Sequence, residues 1–157
     1  MELRPATDED VRGFAAWRHD PPYDVYDIGM ESDEAVAYFL DPDIHCHTLV
    51  HGDDVVGYCT FGHDARVPGG HYDEDGLDIG LGVKPTLTGS GNGERYVAAV
   101  VAHARATFGH RRLRVTIASD NERAIRVWSG AGFVEVVRFV SPRTVMGTNE
   151  FAILELT

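Results

Sequence analysis

The sequence predicts an α/β fold, with a mixed central sheet of about six to seven strands flanked by about four helices in a single domain over residues 1-157. Three observations predict it. Segments of period two alternate with segments of helical period along the whole chain. No repeat, linker or low-complexity stretch divides the 157 residues, and a hydrophobic content of 43% can supply a core. A glycine-rich stretch, LTGSGNGER, joins a strand-like run to a helix-like run.

The elements follow in order. MELRPAT alternates as a first strand, and Thr7 with Asp10 opens a helix through Trp17. Pro21 and Pro22 break the next segment, HDPPYDVYDIGM, into a loop. Ser32 caps a second helix that stops before Pro42. HCHTLVHG and DVVGYCTFG are two strands about a Gly52-Asp53-Asp54 turn. A polar loop, HDARVPGGHYDEDG, leads to the strand LDIGLGV, whose glycines point to a bulge or a close backbone approach. After the glycine stretch, Val97, Val100, Val101, Ala104 and Phe108 keep the spacing of a helix buried on one side, and Gly109 ends it. LRVTIAS is a strand. Ser119 and Glu122 form a capping-box pattern for the helix NERAIRVWSGAG, and the strands FVEVVRFV and EFAILEL close the chain.

Composition excludes several classes. No apolar run approaches the ~18 residues of a membrane span. The stretch MELRPATDED lacks the basic and apolar regions of a signal peptide. Cys46 and Cys59 form no CxxC pair and fit a reduced compartment. These features read as a cytoplasmic protein. The net charge of -11 repels nucleic-acid phosphates. Lys84 is the only lysine, and a surface rich in Asp and poor in Lys suits an acidic, salt-adapted proteome or merely a GC-rich one.

The charge is uneven. Residues 1–83 hold 4 Arg against 19 acidic residues, a net of -15, whereas residues 84–126 hold 8 basic against 3 acidic, a net of +5. The positive segment contains the glycine stretch and suits an anionic ligand there. The acidic half suits a cationic one.

A strand, a glycine loop and a helix N-terminus together make an anion site, because free N–H groups and the helix dipole point at the ligand. Gly89, Gly91 and Gly93 let phosphate oxygens approach the backbone. Neither a P-loop nor a dinucleotide fingerprint fits: no Gly-Lys pair exists, and Glu94 stands where the third glycine of GxGxxG belongs.

The combination VKPTLTGSGNG, followed about 28 residues later by NERAIRVWSGAGF, resembles the GNAT superfamily of acyl-CoA N-acyltransferases. Val83, Pro85, Gly91, Gly93, Asn121, Ala124, Gly132 and Phe133 match its pattern, and the element order matches over nearly the whole chain. The acidic loop and glycine-bearing strand YDEDGLDIGLGV look most like the branch containing aminoglycoside 6'-N-acetyltransferases. Thr88 departs from the usual Gln or Arg. Trp128 departs from the frequent Tyr, whose hydroxyl protonates the leaving thiolate.

The resemblance implies acetyl transfer from acetyl-CoA to a primary amine of a small molecule or peptide. Leu81, Gly82 and Val83 would carry the pantetheine arm. Thr88, Gly89, Ser90, Gly91, Asn92 and Gly93 would hold the pyrophosphate, with Asn121 and Trp128 beside the arm. Asp78, a carboxylate within a buried strand, is either the general base or a salt-bridge partner of an arginine. Tyr23 and Tyr26 fall where the family places its substrate lid, and aromatics beside Asp24 and Asp27 suit a cation. His45 and His47 share a strand face without a third ligand, so no metal is expected. A monomer or homodimer is expected. Two other classes remain open: an acyl-CoA sensor without catalysis, and an unrelated nucleotide-binding α/β protein.

Overall fold

Capping chemistry starts the first helix where the sequence places it. The Thr7 side chain accepts from Asp10 N–H, and the Asp10 carboxylate accepts from Thr7 N–H. A computed structural model describes residues 1–157. It contains strand β1 (Glu2–Pro5), helices α1 (Asp8–Ala15) and α2 (Ser32–Phe39), and strands β2 (His47–His51), β3 (Asp54–Phe61) and β4 (Gly76–Val83). Helix α3 (Gly93–Phe108), strand β5 (Arg112–Ala118), helix α4 (Glu122–Gly130) and strands β6 (Val134–Val145) and β7 (Thr148–Leu156) complete it. The seven strands form one mixed sheet in the order β1-β2-β3-β4-β5-β7-β6, and only β4 and β5 run parallel. This is the α/β architecture that the sequence predicts. No helix is long and apolar enough to cross a membrane.

Period-two alternation sorts the sheet's side chains between two layers. On one face, Leu77, Ile79, Leu113 and Val115 pack under Val97, Val100 and Ala104 of α3 and Trp128 of α4. On the other, α1 and α2 bury Val11, Phe14, Ala35 and Phe39 beside Tyr58, whose ring stacks on Phe14 at 4.1 Å between centroids. Asp10, buried in this second layer, pairs with Arg4 and accepts from Thr48 Oγ1 at 3.1 Å.

Two helix starts differ from the sequence reading. Glu31, not Ser32, is the N-cap of α2; the Ser32 hydroxyl lies inside the first turn and accepts from Arg12. Asn121, not Ser119, caps α4, its Oδ1 accepting from Ala124 N–H at 3.1 Å. Ser119 is drawn off because its N–H extends the β5–β7 ladder to the Glu150 carbonyl.

The glycines of β4 answer to close approach, not to a bulge. The register with β3 runs without a shift from Gly57↔Val83 to Phe61↔Ile79. A Cβ at Gly80 would stand 2.7 Å from Thr60 Oγ1, and one at Gly82 would stand 2.4 Å from the Tyr58 ring.

Candidate functional site

The site begins as a failure of pairing. β4 and β5 are hydrogen-bonded neighbours only from Gly76↔Arg112 to Asp78↔Arg114, and beyond that point they separate. The parity of β4 follows from two bonds: Gly62 N–H donates to Asp78 O, and Lys84 N–H donates to Val56 O. Even-numbered residues therefore turn their backbone groups to β3, and Leu81 and Val83 turn theirs into the gap. A cleft of about 810 Å³ occupies that gap. Buried backbone groups require partners, so Leu81 offers its N–H and C=O to whatever enters.

The glycine loop forms one end of the cleft. Gly89 and Gly91 have φ of 71° and 84°, the left-handed region in which glycine alone is unstrained. Thr88 Oγ1 and Ser90 Oγ donate back to the carbonyls of Pro85 and Leu87, at 2.8 and 2.6 Å. These bonds hold the loop shape. Asn92 is the N-cap of α3 but its side chain caps nothing, donating to Ser90 instead. The N–H groups of Gly91, Asn92, Gly93 and Glu94 consequently have no partner in the chain. Four free donors and the positive end of a 16-residue helix converge on this point. Gly93 is required for another reason: a Cβ there would press on Val127 of α4 at 3.0 Å.

Helix α4 lines the opposite wall. Asn121 Nδ2 donates to Tyr26 Oη at 3.0 Å, which ties the segment between α1 and α2 to the start of α4. Burial, the larger effect, raises the Tyr26 hydroxyl above its ordinary range, although the bond from Asn121 opposes it. Trp128 packs edge-on against Phe133 at 5.0 Å and presents a wall to the cleft. Arg123, in the first turn of α4, would lie 3.2 Å from a Cβ at position 89 and stacks 3.9 Å over the Tyr23 ring.

Most of the expected site residues meet here. Leu81, Gly82, Val83, Thr88, Gly89, Gly91 and Gly93 line the cleft along β4 and the loop, and Asn121, Trp128, Tyr23 and Tyr26 line it from the other elements. Ser90 and Asn92 are in the loop but not in the lining.

Asp78 is a correction. It is 2% exposed, does not line the cleft, and has both oxygens committed. Arg114 donates to them at 2.6 and 2.8 Å, and Arg66 Nε adds a third bond at 2.9 Å. A carboxylate locked between two guanidinium groups has no free lone pair aimed at a substrate. The geometry assigns it the salt-bridge role. Asp78 shares its strand face with Gly80 and Gly82, but that face is filled there by Arg114 and Tyr72, 5.0 Å apart.

The charge of the cleft is a second correction. Of 25 acidic residues only Glu94 lines it, whereas Arg123, Arg126 and Arg143 all do. The acidic half of the chain does not make an acidic pocket. Sequence reasoning also missed His19. Its Nδ1 lies 2.8 Å from Asp27 Oδ1, and its Nε2 lies 3.3 Å from the Val83 carbonyl in the gap. Both nitrogens thus face acceptors, and the imidazole draws the Asp27 carboxyl below its usual range. An eight-residue separation across a loop carries no periodic signal, so only folding shows this pair.

Residues 1–134 match the family model described as an acetyltransferase (GNAT) domain. No curated protein sequence matches the chain. Solved structures share its fold. A chimera of the Vibrio cholerae spermidine N-acetyltransferase SpeG and hSSAT has 14% identity and a TM-score of 0.79, covering 98% of this chain and 93% of that one. The putative acetyltransferase yncA from Salmonella typhimurium, with its cofactor acetyl-CoA, has 19% identity and a TM-score of 0.71, covering 99% and 92%. The aminoglycoside acetyltransferase AAC(6')-Ib in complex with coenzyme A has 16% identity and a TM-score of 0.78, covering 99% and 94%.

Proposed function

This chain belongs to the GNAT acetyltransferase family, and on that premise we propose that it moves an acetyl group from acetyl-CoA to a primary amine of a small molecule or peptide by direct attack. The observation that carries the reading is the coincidence of two unpaired backbone surfaces in one cleft. Leu81 faces the gap from β4, and the free N–H groups of Gly91 to Glu94 stand at its end. An extended amide-bearing arm attached to a pyrophosphate satisfies both at once. The cleft's 810 Å³ lies within the roughly 300–1,000 Å³ of small-molecule sites.

In this reading Leu81 pairs with the pantetheine arm as a strand would. The loop from Thr88 to Gly93 receives the pyrophosphate, and Arg123 adds a cation beside Gly89. Oriented backbone N–H groups on the β4 side of the gap stabilise the oxyanion that forms when the amine attacks the thioester carbonyl. Trp128 packs beside the arm and cannot donate as a phenol would, so the departing thiolate takes its proton from water. No carboxylate lines the acceptor side and both His19 nitrogens face acceptors of the chain, so in this reading the acceptor releases its proton to solvent.

Turnover tests this directly. Acetyl-CoA with a panel of primary amines should release free CoA thiol in proportion to N-acetyl product. Acetyl-CoA binding without acetylation of any amine would leave the sensor reading in its place.

A further inference from the structure

The cleft is lined from both faces of the sheet and so has a second mouth, away from the glycine loop. Val115 and Ile117 point into the core under α3 and α4, so Thr116 points to the other face, that of α1 and α2. The second mouth is walled there by Thr116, Tyr58, Val67 and Phe151. The β6–β7 hairpin closes its rim, where Tyr26 Oη contacts Met146 Sδ at 3.6 Å. Arg143 and Thr144 of β6 line the same rim.

The charges at this mouth are one-sided. Six arginines of the chain are paired with carboxylates: Arg4, Arg12, Arg66, Arg112, Arg114 and Arg138. Arg143 is exposed and makes no salt bridge. Asp64 is not in the lining, and its two oxygens accept from Tyr38 Oη and, at 2.8 Å, from Thr60 Oγ1. Glu94, the only carboxylate lining the cleft, lies at the glycine-loop end against the Gly130 position. A polycation entering this mouth would meet the Arg143 guanidinium and no carboxylate in the lining around it.

We infer that the acceptor is an amine carrying a carboxylate, of the class of short peptides with a free α-amino group, and that Arg143 receives the carboxylate. The inference rests on the acetyltransferase reading of the same cleft. No carboxylate lines this mouth, and both ring nitrogens of His19 are turned to acceptors of the chain, so an acceptor that arrives partly neutral is favoured. A peptide α-amino group, with a pKa of about 7.7–8.0, does so near pH 7.5, whereas an alkylammonium at about 10.4 does not. Tyr58 and Phe151 provide an apolar bed for the rest of the acceptor, and Arg143 offers a two-pronged donor to its carboxylate. That carboxylate belongs either to the C-terminus of the peptide or to an acidic side chain near its start.

The experiment compares alanyl-phenylalanine, its C-terminal amide, alanyl-aspartate amide and spermidine as acceptors, with thiol release as the readout. The three peptide acceptors share one α-amino group. At least one of the two carboxylated acceptors should exceed the neutral amide by tenfold or more in kcat/KM, and spermidine should be the poorest. In Arg143→Gln the ratio between carboxylated and neutral acceptors should fall toward one, through KM. Which carboxylated acceptor leads identifies the source of the charge. The inference is overturned if spermidine leads, or if the ratio is near one in the native protein or survives in Arg143→Gln; acetyl transfer itself would then still stand. Calorimetry with CoA-loaded protein gives a second readout. Loss of peptide binding in Arg143→Gln supports the inference, and absence of carboxylate-dependent binding to the native protein overturns it. Failure of acetyl-CoA to bind would instead remove the acetyltransferase reading.

Discussion

Arg114 and Asp78 face each other across the last hydrogen-bonded pair of β4 and β5, joined by bonds of 2.6 and 2.8 Å, with each residue 2% exposed. The pair sits at the point from which the two strands diverge. It pins the closed end of the gap and does not reach into it.

Asp78→Asn is therefore a stability variant. Removing one partner of a buried ion pair typically costs about 3–5 kcal/mol, because the other charge stays buried. Differential scanning calorimetry should show Tm lower by about 10 °C or more. The folded fraction should lose far less turnover than the roughly 10²–10⁴-fold expected when a general base is removed. A variant with native Tm and turnover reduced on that scale would restore Asp78 as the base.

The contact between Gly82 and Tyr58 is the second test. A Cβ at position 82 would stand 2.4 Å from the Tyr58 ring, which is held by stacking on Phe14. Overpacking of this kind costs about 1–3 kcal/mol, so Gly82→Ala should unfold at lower urea. Because the clash lies with one ring, Gly82→Ala combined with Tyr58→Leu should be less destabilised than the two single changes added together. Strict additivity would mean that the glycine serves something other than this approach.

Acid stability gives the third. Burial by itself would raise the Asp10 carboxyl, but the bonds from Arg4, Thr7 and Thr48 outweigh it and lower the group to about 2 from 3.8. A depressed carboxylate stabilises the fold above its unfolded value, and that contribution disappears as pH falls from about 4 through about 2. The shift corresponds to about 2 kcal/mol. The stability difference between the native protein and Asp10→Asn, followed by urea unfolding, should therefore shrink across this window. A difference that stays constant from pH 5 to 2 would contradict the assignment.

The fold was legible because its signals are local. Thr7 and Asp10 announce a helix start, and the 97, 100, 104 spacing announces the buried side of α3. The glycine loop was legible for the same reason, since Gly89 and Gly91 adopt the positive φ that their placement implied. What sequence could not give depends on neighbours distant in the chain. Asp78 reads equally as a base or as the partner of an arginine until Arg114, 36 residues away, closes on it. His19 found a carbonyl 64 residues away. The acidic excess of residues 1–83 suggested a cationic ligand, yet folding turned that charge to the outer surface and to internal arginines, and left the cleft with unpaired guanidinium groups.

The central claim is that one cleft receives acetyl-CoA through the unpaired backbone of β4 and the glycine loop. Isothermal titration of acetyl-CoA into the native protein and into Gly91→Glu, at low and near-molar KCl with ATP and NAD as controls, tests it most directly. Gly91 has φ of 84° and open space around it, so the substitution strains the loop and places a carboxylate among the free N–H groups. The account predicts one-to-one micromolar binding of acetyl-CoA, weakened by at least about tenfold in Gly91→Glu as a charge-assisted phosphate contact is lost. No binding at either salt concentration, or a preference for ATP or NAD, would contradict it.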